Sequence, residues 1–169
     1  RVRDQRENLR DAHTRMEAIA VRDDLTGLYN RRHFLERLEE ELSLANRNHT
    51  PLYLAIIDLD HFKQVNDNYG HHSGDEVLSR FARIASQSLR KSDLLARYGG
   101  EEFVVLFPHA SEGASEAALE RLRNQFSEQH YDFAPELHTS FSAGLTAYQQ
   151  GEPADQLTKR ADTALYDAK

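Results

Sequence analysis

The sequence predicts an α+β domain with a mainly antiparallel central sheet and helices packed against it. After the N-terminal helices, the predicted segments follow the order strand, two helices, β-hairpin, helix, strand, helix. This order fits a ferredoxin-like sheet, in which helices connect strands that do not lie side by side. The 169 residues suit one domain, because a chain of this length buries most of its apolar surface on folding.

A charged segment without Gly or Pro, residues 1–22, predicts an N-terminal helix. Val2, Leu9 and Met16 recur every seven residues. This spacing indicates either a short coiled-coil seam or the apolar face of a helix that lies on the domain. We therefore divide the chain into an N-terminal helix and possible coiled-coil linker at 1–22 and a folded domain at 23–169.

The domain begins with a helix and a buried strand. Gly27 breaks the preceding pattern, and Phe34, Leu38 and Leu42 then recur with the period of an amphipathic helix. The almost continuous apolar run 52–59 predicts a central strand that is buried on both faces.

This strand ends in Asp58-Leu59-Asp60. A carboxylate at the exit of a buried strand is costly unless it has a partner. Asp60 has an ordinary explanation, because it can be the N-cap of the short helix that follows. Asp58 has no such explanation, so we interpret it as a metal ligand.

Two helices are predicted next. The first covers 61–70 and ends at Gly70. A capping box from Ser73 to Glu76 is expected to open the second. Asp75 would then lie in the first turn, where an acid suits the helix dipole.

Gly99 and Gly100 separate two strand-like segments and predict a tight hairpin, because glycine reaches positive φ without a Cβ penalty. Glu101 and Glu102 follow at once. Two acids beside a backbone without side chains can bring a phosphate and a divalent cation together. A solvated hairpin tip would have the same composition, so both interpretations stay open at this point.

The rest of the chain continues the alternation of helices and strands. Residues 112–129 predict an amphipathic helix. Alternating apolar residues then predict a strand in which Gly144 marks a bulge, and Pro153 opens the final helix.

Composition excludes several kinds of site. The chain has no cysteine, so a disulfide framework and a cysteine zinc site are both excluded. Its formal net charge of −7 argues against broad binding to nucleic acid. The sequence has no signal peptide and no apolar run near the about 20 residues of a membrane helix. We expect a cytoplasmic fragment of a longer protein, without membrane contact of its own.

Gly99-Gly100-Glu101-Glu102-Phe103 resembles the signature of the GGDEF domains, the diguanylate cyclases, in its Glu variant. Four further blocks match the same family in order and spacing: 23–32, 58–63, 66–75 and 160–169. The resemblance covers about residues 22–169. It departs in one respect, since the family usually continues past the last lysine into Gly-Arg-Asn, whose arginine helps to hold phosphate.

The resemblance implies an enzyme that joins two GTP molecules into cyclic di-GMP, releases two pyrophosphates and acts as a homodimer. It also implies a sensor domain upstream of this fragment, where the full-length protein could be anchored in a membrane. It also implies that Asp58, the backbone carbonyl of Leu59 and Glu101 hold Mg²⁺ or Mn²⁺, which prefer oxygen ligands. Glu101, or else Glu102, would accept the proton of the attacking hydroxyl. Lys63 would steady the phosphate charge in the transition state.

The same resemblance implies the substrate contacts. Asn66 and Asp75 would read guanine, with His71 nearby, and Lys169 would reach the γ-phosphate. Guanine presents two neighbouring donors, N1–H and N2–H₂, which a carboxylate accepts and which adenine lacks.

Arg90-Lys91-Ser92-Asp93 resembles the inhibitory site of the family, at which the product cyclic di-GMP binds. Arg121, on the next helix, would add a second cation. An ordinary helix end, with Arg90 at the dipole and Asp93 capping a turn, is the alternative.

Three other functions stay open. The chain could be a non-catalytic GGDEF module that senses GTP or cyclic di-GMP. It could be a structural dimerisation domain, or it could catalyse a related metal-dependent nucleotidyl transfer such as adenylate cyclisation.

Overall fold

The computed structural model describes the backbone of residues 1–169 and every side chain except those of residues 17–19. Six helices and four strands follow one another in the order α1 Val2–Ile19, α2 Arg31–Asn48, β1 Leu52–Leu59, α3 Phe62–Tyr69, α4 His71–Ser88, β2 Leu94–Arg97, β3 Glu102–Pro108, α5 Glu112–Ser127, β4 Phe141–Ala147 and α6 Ala154–Ala168. None of the helices, over the residues described, has the length and apolar character that a bilayer crossing requires.

The strands form one sheet in the order β2-β3-β1-β4, and all three pairings are antiparallel. This is the ferredoxin-like arrangement, so the predicted fold class is confirmed. β1 lies inside the sheet, between β3 and β4. Its central position, with helices on both faces, explains why its sequence is apolar almost throughout.

Each face of the sheet has its own apolar core. Leu54 and Ile56 of β1 pack with side chains of α2 and α6. Ala55 and Ile57 belong to the core formed with α3, α4 and α5. Because side chains alternate along a strand, Asp58 continues the row of Leu54 and Ile56. The acidic end of β1 therefore belongs to the face that α2 and α6 cover.

The apolar seam of α1 is exposed. Val2, Leu9 and Met16 are 66%, 75% and 72% accessible to solvent. The rest of the described chain thus leaves this face uncovered, and its role as a coiled-coil seam stays a prediction.

The start of α4 differs from the expected capping box. The helix begins at His71, its N-cap is Gly70, and no side chain caps it. Gly70 has a φ of 90°, which lets α3 run directly into α4 without an intervening loop. Ser73 and Asp75 consequently lie within the helix, and Asp75 is not in its first turn.

Gly144 does not mark a bulge. The register between β1 and β4 continues through the pair Ile56 and Gly144. A Cβ at this position would collide with the backbone of α6, namely the carbonyl of Ala161 and the nitrogen of Leu165. Glycine is required here because the helix lies directly on the strand.

Candidate functional site

The acidic residues meet at one end of the sheet, where β1 ends beside the start of β3. In the register, Asp58 stands opposite Glu102 on β3 and opposite Ser142 on β4. Residues that stand opposite each other in an antiparallel pair project to the same face. Asp58 and Glu102 therefore form a cross-strand pair of carboxylates on the α2 and α6 face, and the Asp58 side chain is only 14% exposed.

The two oxygens of Asp58 have different surroundings. Lys169, at the end of α6, donates a hydrogen bond to Oδ2. This bond, together with the negative charges nearby, raises the pKa of Lys169. Oδ1 is buried and has no hydrogen-bond partner among the described side chains and backbone. A buried carboxylate oxygen without a donor fits a position prepared for a cation.

Glu102 lies in a strongly negative environment. Burial is the largest cause of its raised pKa. The charges of Asp58, Asp162 and Glu101 raise the pKa further, and the charge of Lys169 lowers it. Asp162 was not singled out from the sequence. It stands seven residues before Lys169 on α6, two helical turns away on the same face, and that spacing could have indicated it.

The donor set fits a hard divalent cation that is shared with a ligand. No group of three or more His, Asp or Glu side chains forms a closed metal cage within the described part of the chain. Glu101 directly precedes β3, and its carbonyl accepts a hydrogen bond from Leu59 N at 3.2 Å. The carboxylates of Asp58 and Glu101 and the carbonyl of Leu59 are an open set of oxygen ligands, which phosphate oxygens of a nucleotide can complete.

Arg97 holds the Gly-Gly turn. Its guanidinium donates to the carbonyl of Gly99 at 3.2 Å and to that of Gly100 at 2.8 Å. Neither glycine has a positive φ, so the expected reason for the glycines is wrong. A Cβ at Gly99 would lie 3.0 Å from Oε2 of Glu102, so the absence of a side chain leaves room for that carboxylate.

A second part of the chain supports Arg97. Its Nη1 pairs with Asp23 at 3.2 Å, across the loop that precedes α2. Burial would raise the pKa of Asp23, but hydrogen bonds from Thr26 and the charge of Arg97 outweigh burial and lower it. The sequence indicated block 23–32 through its resemblance to the family. The contact between Asp23 and Arg97 joins residues far apart in the chain, and no local pattern predicts it.

The expected guanine readers lie together at the junction of α3 and α4. Asn66 is on α3, and His71 and Asp75 are one turn apart on α4. A Cβ at Gly74 would overlap the amide oxygen of Asn66, so that side chain lies directly on α4. Lys63 is exposed in the first turn of α3, on the segment that leads from β1 to this junction.

The residues of the expected inhibitory site also come together. Arg90 Nη2 and Asp93 Oδ1 are 2.9 Å apart, and Arg121 Nη2 donates to the carbonyl of Ser88 at 2.9 Å. All three expected residues line one pocket of about 340 Å³ with apolar walls from Phe107 and the alanines of α5. The pocket and the Gly-Gly turn lie at opposite ends of β2.

Comparisons with known proteins agree with one another. A family model described as "Diguanylate cyclase, GGDEF domain" matches residues 20–169. The chain is 42% identical over 173 residues to diguanylate cyclase DgcP of Pseudomonas aeruginosa, which covers 100% of this chain and 26% of DgcP.

Two solved structures are similar throughout the chain. Diguanylate cyclase SiaD of Pseudomonas aeruginosa, in complex with its activator SiaC, has a TM-score of 0.85 at 41% identity and covers 99% of this chain and 65% of SiaD. The coiled coil and GGDEF domain of DgcB from Caulobacter crescentus, in complex with c-di-GMP, has a TM-score of 0.84 at 31% identity and covers 98% of this chain and 88% of that one. The chain thus spans about a quarter of DgcP and about two thirds of the SiaD chain.

Proposed function

Because the chain belongs to the GGDEF domain family of diguanylate cyclases, we propose that it condenses two GTP molecules into cyclic di-GMP and releases two pyrophosphates. One observation carries the proposal: Asp58 and Glu102 form a cross-strand carboxylate pair in which Oδ1 of Asp58 is buried without a hydrogen-bond partner among the described residues. A purely structural domain would gain nothing from such a pair, since like charges on opposite positions destabilise a sheet.

Asp58, the carbonyl of Leu59 and Glu101 are the groups that would hold Mg²⁺ or Mn²⁺, and Glu102 is a further donor opposite Asp58. When bound, the cation neutralises phosphate charge and promotes loss of the proton from the attacking ribose 3′-hydroxyl. Glu101 or Glu102 accepts that proton.

The basic residues act on the phosphates. Lys63, exposed at the start of α3, stabilises the charge that develops on the α-phosphate. Lys169 and the cation would compete for the carboxylate of Asp58. When the cation binds, Lys169 therefore leaves Asp58 and contacts the γ-phosphate. Asn66 and Asp75 at the α3–α4 junction select guanine, with His71 beside them.

The active species is a homodimer. One domain holds one GTP, and the reaction needs two GTP molecules face to face, so a two-fold pair of domains supplies both. The exposed seam of α1 supports this proposal, as does the similarity to a DgcB structure that includes its coiled coil. The product inhibits the enzyme at the pocket of Arg90, Asp93 and Arg121, a proposal supported by the c-di-GMP bound to that relative.

The test is to incubate the protein with Mg²⁺ and either GTP or ATP and to identify the products by mass. We expect cyclic di-GMP from GTP alone. Asp58→Ala and Glu101→Ala should abolish turnover while preserving the fold, because loss of either ligand leaves the cation site incomplete. Asp132→Ala is the matched control, since the Asp132 side chain is fully exposed and the residue is far in sequence from Asp58 and Glu101.

Two outcomes contradict this function. Binding of GTP without any product would indicate the non-catalytic sensing module. A cyclic product from ATP would indicate a different nucleotidyl transfer.

A further inference from the structure

Asp60 does not cap α3, contrary to the expectation from the sequence. The N-cap of α3 is His61, and no side chain caps the helix. Both oxygens of Asp60 instead accept hydrogen bonds from β4 and the residue before it. Ser140 Oγ donates to Oδ2 and Ser142 Oγ donates to Oδ1, each at 2.7 Å. We call this arrangement the Asp60–serine bridge (Asp60, Ser140 and Ser142).

The bridge sits at the turn that carries the metal-binding groups. Asp60 directly follows Leu59, lies two residues after Asp58 and stands three residues before Lys63. Its backbone nitrogen also donates to the carbonyl of Ser140, at 2.9 Å. Three bonds therefore join this one residue to the start of β4.

The backbone conformation of this turn depends on contacts from outside the turn. His61 has a φ of 56°, in the left-handed region that non-glycine residues adopt at a cost. A residue in that region keeps its conformation only where its surroundings impose it. The Asp60–serine bridge supplies such a constraint on the strand side of His61.

The chemistry of the bridge suits a rigid support. Hydrogen bonds from hydroxyls to a carboxylate are about twice as strong as bonds between neutral groups. Two donors, Ser142 in β4 and Ser140 just before it, fix both the position and the rotation of the carboxylate. The charge of Asp60 also interacts with Lys169, because it contributes to the raised pKa of that lysine.

We infer that Asp60 is a positioning residue, which through Ser140 and Ser142 holds the end of β1 so that Asp58 and the Leu59 carbonyl converge on the cation. The inference rests on the proposed function. It assigns Asp60 no contact with substrate, because both of its oxygens are engaged by serine hydroxyls.

The decisive variant is Ser140→Ala/Ser142→Ala, which removes both donors and leaves every carboxylate in place. Three quantities are measured: Mn²⁺ affinity by electron paramagnetic resonance with an unreactive GTP analogue bound, kcat and KM at saturating Mn²⁺, and Tm. We expect Mn²⁺ affinity and kcat to fall by about 10-fold, which is typical when the support of a metal ligand is removed. KM for GTP should stay within about 2-fold, because the α3–α4 junction is untouched.

Two further variants complete the experiment. Asp60→Asn keeps one acceptor and turns a donor toward the other serine, so a smaller loss than in the double serine variant is expected. Because it is isosteric, it also keeps the inference testable if the double variant fails to fold. Ser127→Ala is the matched control. Ser127 is exposed and its hydroxyl donates to the Asn124 carbonyl in its own helix, so this variant should leave all values unchanged.

Three results would overturn the inference. In the first, the double serine variant is folded and keeps wild-type Mn²⁺ affinity and kcat. In the second, only Tm falls, which would make the bridge purely structural. In the third, Asp60→Asn loses Mn²⁺ while the double serine variant retains it, which would make Asp60 a ligand. An inactive wild-type protein would instead contradict the proposed function itself.

Discussion

Asp58 is maintained at a cost to stability. One of its oxygens contacts Lys169, and the other is buried without a partner in the described structure. An unsatisfied buried polar group costs about 1–3 kcal/mol. Under the proposed function, a bound cation would remove this cost and take part in the reaction, so the site would exchange stability for function.

Asp75→Ala should weaken the preference for GTP over ATP more than it weakens phosphate binding. The change removes the proposed acceptor of the two guanine donors, at a cost of about 1–3 kcal/mol in relative kcat/KM. Rates with GTP and ATP and inhibition by pyrophosphate give the comparison. Glu76→Ala is the control, since Glu76 is next in sequence and pairs with Arg80 at 3.4 Å. An unchanged preference for GTP would place the guanine contact elsewhere.

At the scale of elements, α6 is fixed to the sheet by Arg160, which lies in the middle of the helix. The guanidinium bonds Glu152 at 2.6 Å, Thr146 Oγ1 at 2.8 Å and the carbonyl of Ala147 at 2.6 Å. Burial would raise the pKa of Glu152, but the hydrogen bonds from Arg160 and Gln149 outweigh burial and lower it. The ion pair ties the middle of α6 to the loop before the helix, and the bonds to Thr146 and Ala147 tie it to the end of β4. Lys169 follows at the C-terminal end of the same helix.

Glu152→Gln should lower the free energy of unfolding by about 1–3 kcal/mol at neutral pH, because charge-assisted hydrogen bonds are lost. The pKa of Glu152 is lowered in the folded state, so its contribution is present above the ordinary value of 4.5 and is lost as the pH falls below it. The difference between wild type and variant should therefore narrow in acid.

Urea unfolding at several pH values measures this difference. Glu128→Gln, an exposed residue after α5, is the control. A difference that is constant with pH would show that Glu152 acts through packing rather than charge.

The elements themselves were predictable because each has a local signal. The run 52–59 matches β1 residue for residue, and Gly70 separates α3 from α4 as expected. The contacts that complete the site are not local. Asp60 meets Ser140 and Ser142 about 80 residues later, and no propensity or spacing indicates which distant hydroxyls a carboxylate will find.

The predicted pair of acids shows the same limit. Glu101 and Glu102 were both expected at the site, but only the register between β1 and β3 reveals that Glu102 stands opposite Asp58. Register depends on tertiary packing, so adjacent residues of one type cannot be assigned to opposite faces from sequence alone.

For the whole molecule, activity per protomer should rise with protein concentration, because two domains must meet. Leu9→Glu places a charge in the exposed seam of α1 and should lower activity at dilute protein, with recovery at high concentration. Asn8→Glu, one residue away on the same helix, is the control. Specific activity and sedimentation are measured over the same range. Constant specific activity where the protein is monomeric would contradict a dimeric enzyme.

Arg90→Ala should weaken cyclic di-GMP binding and allow more product to accumulate. A guanidinium can form a forked contact with guanine or phosphate, and the variant removes it. Product binding and complete progress curves measure the effect, with the initial rate as the internal reference. Arg121→Ala leaves the Arg90–Asp93 pair intact and separates loss of product binding from local rearrangement. If both variants bind cyclic di-GMP as tightly as the wild type and are inhibited equally, the Arg-x-x-Asp segment is only a helix end.

The close contact between β4 and α6 at Gly144 bears on how the domain tolerates mutation. Any side chain there would push the backbone of α6 outward, and with it the face that bears Asp162 and Lys169. In a selection of random variants for cyclase activity, position 144 should therefore be as intolerant as the carboxylates, although glycine contributes no chemical group. Sequence changes among related chains should therefore leave this contact unchanged.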